Sequence, residues 1–386
     1  MRAAAFVYPW DVNGDPDAAD RIAGLGVRQV TLAAAYHSVR ALTPRHPGHR
    51  IVTAEHAAVL YPPGPRWAGR MLRPYPAGDW APGDAYGTAT AALEAAGLEV
   101  HSWVVLAHNS RLGAEHPDTS VTNAYGDRYP WAPCIAQPAT RAYLTELAAE
   151  SAVRPGARGT ELESCGWYGL AHLHAHDKTA GTDPGDAGRY LMSLCFCAHC
   201  RAGYADTGIE ADRLAIAVRR GLEPLWRGAD PARATVEALL GDAQLADAVL
   251  DFRARVARSL QDEVVAAVRA AAPAGFQVLL HADPAVRACG ANVGVAPDHV
   301  LSVADGVVVP CTGGAGLLAP FAEQRVPGAV LAANLTVVSG MGGSPGTLRA
   351  DAEAAAGLGA TELRLYHAGL ASDADLELVR EQLPSA

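Results

Sequence analysis

The chain has 386 residues, 50% hydrophobic and 19% charged, enough for a large core in one barrel-sized domain. Its formal net charge of −10 argues against a nucleic-acid binder, which needs a basic face for phosphates, and suits an enzyme acting on neutral or cationic small molecules. The first 24 residues hold no basic segment followed by an apolar core, and no run approaches the roughly 20 apolar residues of a membrane span, so a cytoplasmic protein without membrane contact is expected, with homo-oligomers compatible.

Short apolar, β-branched runs fall at residues 3–8, 27–34, 99–107, 158–164, 276–283, 305–310, 329–335 and 361–366. Between most of them lie Ala- and Leu-rich helical stretches, as at 17–24, 88–97, 139–152 and 347–359, and most of these end in Gly. Eight strands alternating with helices predict an α/β fold, a (β/α)8 TIM barrel, with 1–386 as one barrel domain. A doubly wound open sheet competes, but no Gly-rich phosphate turn follows the first strand. Loop 37–85 follows the second strand and is rich in Pro, Gly, His and Trp; loop 108–138 follows the third. The segment 165–275, after the fourth, is long enough for a helical insertion, with helices expected at 187–205, 212–222, 232–240 and 243–272. Such excursions belong most naturally on the catalytic face.

The fourth strand closes with Thr160-Glu161-Leu162-Glu163-Ser164. Residues two apart share a face, so both glutamates point into the barrel, with Glu163 nearer the carboxyl end where barrels keep their chemistry. A buried carboxylate without a partner is costly, so the pair marks a site or, alternatively, an ion pair with a core Arg. His281 and Asp283 share a parity at the end of the fifth strand, and Glu362, Arg364 and Tyr366 share one on the eighth. These inward groups converge, either as a site or as a satisfied polar layer, Glu362 with Arg364 above all. Several Trp sit near strand ends (Trp10, Trp103, Trp131, Trp167). Paired carboxylates beside Trp platforms suit glycoside hydrolysis, in which one carboxyl protonates the leaving oxygen and the other attacks carbon or activates water. Glu163 is the first catalytic candidate, Asp283 the second and Glu161 the third. Trp10, His37, His108, Asn109, Trp167, His281 and Tyr366 would contact sugar hydroxyls or tune the carboxylates. The run His172-Leu-His174-Ala-His176-Asp177-Lys178 admits a catalytic metal, a sugar subsite using Lys178, or a solvated loop. Two other functions stay open: a metal-dependent sugar isomerase or epimerase using Glu163, His281 and Asp283 as ligands, and a barrel that binds sugar without turning it over.

Seven cysteines form an odd set, three of them packed into Cys195-Phe-Cys197-Ala-His-Cys200. In a reducing compartment this spacing favours metal ligation or free thiols over disulfides. Three thiolates cannot close a tetrahedral structural zinc site. Cys134, in the neighbouring loop, is the first choice for the fourth ligand, ahead of Cys165 and His199; Cys289 and Cys311 read as ordinary buried thiols. The motif, following Cys134, resembles the structural zinc cluster of glycoside hydrolase family 42 β-galactosidases, which are (β/α)8 enzymes. His108-Asn-Ser, Pro133-Cys-Ile-Ala-Gln-Pro138 with Arg141-Ala-Tyr143, and Glu161-Leu-Glu163 look like glycosidase-like barrel proteins of bacteria. The resemblance covers roughly residues 103–204 and implies a carbohydrate substrate and a catalytic carboxylate closing the fourth strand, which Glu163 matches. One departure stands out: those β-galactosidases place a nucleophile on the seventh strand, which here ends Asn334-Leu-Thr-Val with no carboxylate.

Overall fold

The computed structural model describes residues 1–171 and 177–383. Eight parallel strands close into a barrel: β1 (Arg2–Val7), β2 (Gln29–Tyr36), β3 (Glu99–Val105), β4 (Ala157–Glu163), β5 (Gln277–Asp283), β6 (Gly306–Pro310), β7 (Val330–Thr336) and β8 (Glu362–Tyr366). Each pairs with the next in the chain, and β8 returns to β1 through Arg2↔Glu362 to Ala5↔Leu365. The strands are Ala-, Val- and Leu-rich because both faces are buried, one against the outer helices and one in the barrel; β2 is buried along its whole length. Around them run α1 (Ala18–Ala23), α2 (Ala85–Ala95), α3 (Pro138–Ala152), α4 (Ala243–Ala271), α5 (Pro297–Val303), α6 (Ala319–Glu323), α7 (Leu348–Gly357) and α8 (Asp373–Gln382). Among the described residues, no helix is long and apolar enough to cross a membrane.

The barrel interior is graded along its axis. Leu279, Val308, Val330 and Ala332 form a small apolar cluster of their own. Glu161, His281 and Arg364 are buried inside the same barrel. At the carboxyl end an aromatic cluster gathers Phe6, Tyr8, Trp10, Tyr36 and Trp103.

Three long loops build the mouth. The one after β2 carries a hairpin, Val39–Leu42 with Ile51–Ala54. It is docked by Glu150 of α3, which accepts from the Gly64 N–H (2.8 Å) and the Trp67 indole (2.5 Å). Its Arg45 reaches across to the carbonyls of Ala368, Gly369 and Ala371 beyond β8. The loop after β3 carries a second hairpin, Ser120–Thr122 with Arg128–Pro133. After β4 come helices Gly185–Met192, Ala198–Asp206, Ala211–Trp226 and Val236–Leu240, then α4, which packs along α3.

Two helical expectations in this segment need correction. The helix expected at 187–205 is two helices, broken where Cys197 takes extended backbone (ψ 166°) as the cap of the second. The break frees the cysteine sulfurs from helical geometry, and Cys195 Sγ accepts the N–H groups of Thr122 and Cys197 at 3.5 Å. The helix expected at 232–240 begins only at Val236, because Thr235 caps it by accepting the Ala238 N–H (3.2 Å) and Pro231 opens a separate short turn.

Candidate active site

Glu161 and Glu163 leave β4 on the same face but meet different surroundings. Glu161 is fully buried; it accepts from Arg364 Nε at 2.5 Å and from the Thr31 hydroxyl at 3.1 Å. Arg364, equally buried, donates through Nη1 to Glu362 at 2.9 Å. His281 Nε2 stands 3.6 Å from the other Glu161 oxygen, an ion-pair distance rather than a hydrogen bond. Burial alone would push the Glu161 carboxyl up, but Arg364, then His281, hold it down at about 2. Glu163, one turn of the pleat closer to the mouth and 4% exposed, accepts the Trp103 indole N–H at 2.8 Å.

Around Glu163 the loops bring phenols and imidazoles. When ionised, its carboxylate acts on Tyr8, Tyr36, His37, Tyr168 and Tyr366, which come from four different strand ends. Burial, reinforced by that charge, keeps the four phenols well above the usual range, so they remain O–H donors. Burial holds His37 below the usual imidazole range, with Glu163 opposing. His367 is pushed to about 3 by burial and by His37. The rings stack in pairs: Tyr8 on Trp10 (4.5 Å), Tyr36 on His37 (4.2 Å) and His108 on Tyr168 (4.2 Å). Among the described residues, the two non-glycine positions with left-handed backbone are Ser164 (φ 58°) and His367 (φ 61°), each directly beyond a strand whose last residue faces this ring. Such backbone costs of order 1 kcal/mol or more and clusters at functional sites.

The other sequence candidates fall in several places. His281 is beside Glu161, and its ring meets the edge of Phe6 at 5.7 Å. Tyr366, half-buried, packs against Phe6 and Trp103. Trp10, His37 and His108 join the aromatic ring. Asp283 is half-buried at the rim, where it accepts the Ala285 N–H at 2.7 Å; burial raises its carboxyl, with Asp186 adding to the effect. Asn109 caps a short helix, its oxygen accepting the Leu112 N–H at 2.9 Å and its amide reaching the Tyr143 hydroxyl. Trp167 lies under the insertion, its indole donating to the Arg253 carbonyl and its face covered by the Arg253 guanidinium at 4.5 Å. Lys178 is exposed; His172, His174 and His176 lie outside the described residues.

Sequence reasoning missed Tyr8, Tyr36, Tyr168, His367 and Asp11. Tyr8 shares parity with the inward Phe6, and Tyr36 closes β2, so parity extended to aromatics would have found both. Asp11 sits behind Tyr8, accepting its backbone N–H at 2.8 Å, with its second oxygen buried and unpartnered. Burial raises its carboxyl to about 7, with the Tyr8 N–H and Arg45 pulling back.

Apart from the mouth, Cys134, Cys195, Cys197 and Cys200 bring their sulfurs within 4.8 Å of one another. Cys134 Sγ lies 3.5 Å from Cys200 Sγ and 3.7 Å from Cys197 Sγ. Four sulfurs around one zinc at about 2.3 Å would be about 3.8 Å apart, and a disulfide would need about 2.05 Å, so the donor set fits a tetrahedral metal. Hydrogen bonds from the other three thiols hold Cys197 far below the usual thiol range. Cys165 stands apart, its thiol pushed up to about 12 by burial.

No protein-family model matches the sequence, and no curated protein matches it. Solved structures do match the fold. α-L-Fucosidase isoenzyme 2 from Paenibacillus thiaminolyticus superposes with a TM-score of 0.57 at 13% identity over 99% of this chain. The PgaB (BpsB) glycoside hydrolase domain from Bordetella bronchiseptica gives 0.56 at 17% identity, covering 100% of this chain and 99% of that one. A β-galactosidase from the psychrophilic Marinomonas ef1 gives 0.55 at 10% identity over 99% of this chain. The chain spans 48% of the fucosidase and 58% of the β-galactosidase. It has the barrel fold of glycosidase-like proteins.

Proposed function

We propose that this barrel hydrolyses a glycosidic bond, with Glu163 as the carboxyl group that exchanges a proton with the departing oxygen. The observation that carries the reading is the setting of Glu163: a carboxylate at the end of a barrel strand, held by the Trp103 N–H and ringed by protonated phenols. Neutral O–H donors and aromatic faces are what a hydroxylated ring with apolar C–H faces binds best. Similarity of fold to glycoside hydrolases supports the same reaction class. Glu161 serves as a positioning carboxylate, and Asp283 at the rim would meet a more distant part of a carbohydrate substrate. The isomerase reading is weaker: among the described residues the four cysteines are the group that gathers metal-ligating atoms within 4.8 Å, and Glu163, His281 and Asp283 are not part of one.

A panel of aryl glycosides and oligosaccharides tests the reading. Wild-type chain should release sugar from at least one, and Glu163→Gln should cut turnover of oligosaccharides, whose leaving groups need an acid, about a thousandfold with its melting temperature unchanged. Near-normal turnover of an oligosaccharide by that variant would remove Glu163 from the chemistry.

The four cysteines we assign to structural zinc, tying the β3 loop to the inserted helices. Protein purified without added metal should contain about one zinc per chain and lose thermal stability on chelation. Metal-free protein of equal stability would end that assignment.

A further inference from the structure

If a water attacks the sugar in a single displacement, some group must take its proton while Glu163 gives one up. Of the carboxylates nearby, Glu161 is paired with Arg364, and Asp283 stands out at the rim, where it accepts the Ala285 N–H. The residue of β7 that pairs with Arg364 is Asn334, not an acid.

His281 is placed differently. It follows Leu280, which pairs with Leu162 of β4, so its imidazole leaves β5 alongside Glu163. It is 2% exposed, and neither its Nε2 nor the facing Glu161 Oε2, 3.6 Å away, has a hydrogen-bond partner. The surrounding charges do not cancel. Glu161 and Glu362 both bind the single Arg364 guanidinium, which leaves one negative charge beside the imidazole. His101 on β3 acts on the same Glu161 carboxyl, Glu163 follows Leu162 on the neighbouring β4, Asp283 is two residues along β5, and β6 offers Val308 at the same register. A carboxylate behind a histidine fixes its tautomer and stabilises the imidazolium that forms when it accepts a proton.

We propose that His281 is the base of the hydrolysis, oriented by Glu161; this rests on the glycosidase reading above. Nε2–H points at Glu161 Oε2, so Nδ1 carries the lone pair. Nδ1 takes a proton from water as the water oxygen bonds to the anomeric carbon. The glycosidic C–O bond breaks, and its oxygen takes the proton of Glu163. The imidazolium then releases its proton to solvent and Glu163 regains one, leaving both groups as they began. One displacement inverts the anomeric carbon.

Four measurements decide it. In the 15N spectrum of the full chain, the resonance absent from His281→Gln should report the Nε2–H tautomer; the Nδ1–H tautomer would overturn the proposal without any substrate. On a glycoside that wild type cleaves, His281→Gln should lose about a hundredfold or more in kcat for both 4-nitrophenyl and 2,4-dinitrophenyl leaving groups. Glu163→Gln should spare the better leaving group, which needs no acid. Imidazole should restore His281→Ala about tenfold, and proton NMR of fresh product should show inverted configuration. Activity of His281→Gln within about threefold of wild type, loss in His281→Ala without rescue, or retained configuration would each overturn the base while leaving Glu163 in place. A wild type that cleaves no glycoside would instead overturn the underlying reading.

Discussion

Two glutamates on one strand, two residues apart and facing the same way, belong to different regions of this molecule. Glu161 lies in the closed interior, where Arg364 and Thr31 satisfy it and the carboxyl stays ionised. Glu163 lies at the mouth, where among the described residues it accepts one hydrogen bond, from Trp103. The face of a strand is set by parity, but the role of a carboxylate is set by depth. A buried charge without a counter-ion costs too much to keep, whereas one at the rim of the core can leave hydrogen-bonding capacity open for a ligand.

The contrast can be broken at each level. Glu161→Ala should cost about 3–5 kcal/mol of unfolding free energy in urea, because it leaves a buried guanidinium short of a partner. A cost under about 1 kcal/mol would show that Glu362 alone satisfies Arg364, and the interior would then be no more demanding than the mouth. Asp11 sharpens the comparison through pH. Glu161 is depressed in the fold, so its contribution is present above about 4.5 and is lost as pH falls toward 2. Asp11 is raised, so its contribution is present below about 3.8 and is lost as pH rises through 7. Asp11→Asn should therefore flatten the decline between pH 4 and 7, gaining about 4 kcal/mol on wild type above pH 7 by linkage. Superimposable melting curves across that range would mean Asp11 meets a partner or water when ionised. The smallest effect is expected at Trp103→Phe, which deletes the donor to Glu163 and keeps a ring. A hydrogen bond to a charged group is worth about 1.5–3 kcal/mol, read as a ten- to hundredfold fall in kcat/KM. An unchanged kcat/KM would make the indole a packing group only.

The barrel was legible because its signal is local and repeated: most apolar runs are flanked by a helical stretch, most of these ending in Gly, and all eight runs became barrel strands within a few residues. Parity correctly turned Glu161, Glu163, His281 and Arg364 toward the interior. What parity does not carry is the partner. An ion pair with a core Arg was one of two open readings for the glutamates, and the structure supplies it for Glu161 as Arg364, 203 residues away. The phenols were missed because aromatic residues at strand ends read as core. Their link to Glu163 is a through-space charge effect with no spacing in the chain. Asn109 carries a role that spacing did not announce, since a polar residue after a strand is also what a helix cap looks like. The cysteine cluster was the clearest of the nonlocal features, because three of its members announce themselves within six residues.

The distance in sequence between Glu161 and Arg364 also bears on how the chain is made. A ribosome adding ~5–20 residues per second needs roughly 10–40 s to travel from one to the other. During that interval the nascent half-barrel holds an inward carboxylate whose counter-ion does not yet exist. β1 keeps one edge open longer still, since its second neighbour is β8. A partial barrel that closes early must bury that charge with Thr31 and His281 but without Arg364, so premature closure is costly. The eighth strand thus brings the counter-charge of Glu161 and the second hydrogen-bonded neighbour of β1 together, in one element made near the end of the chain.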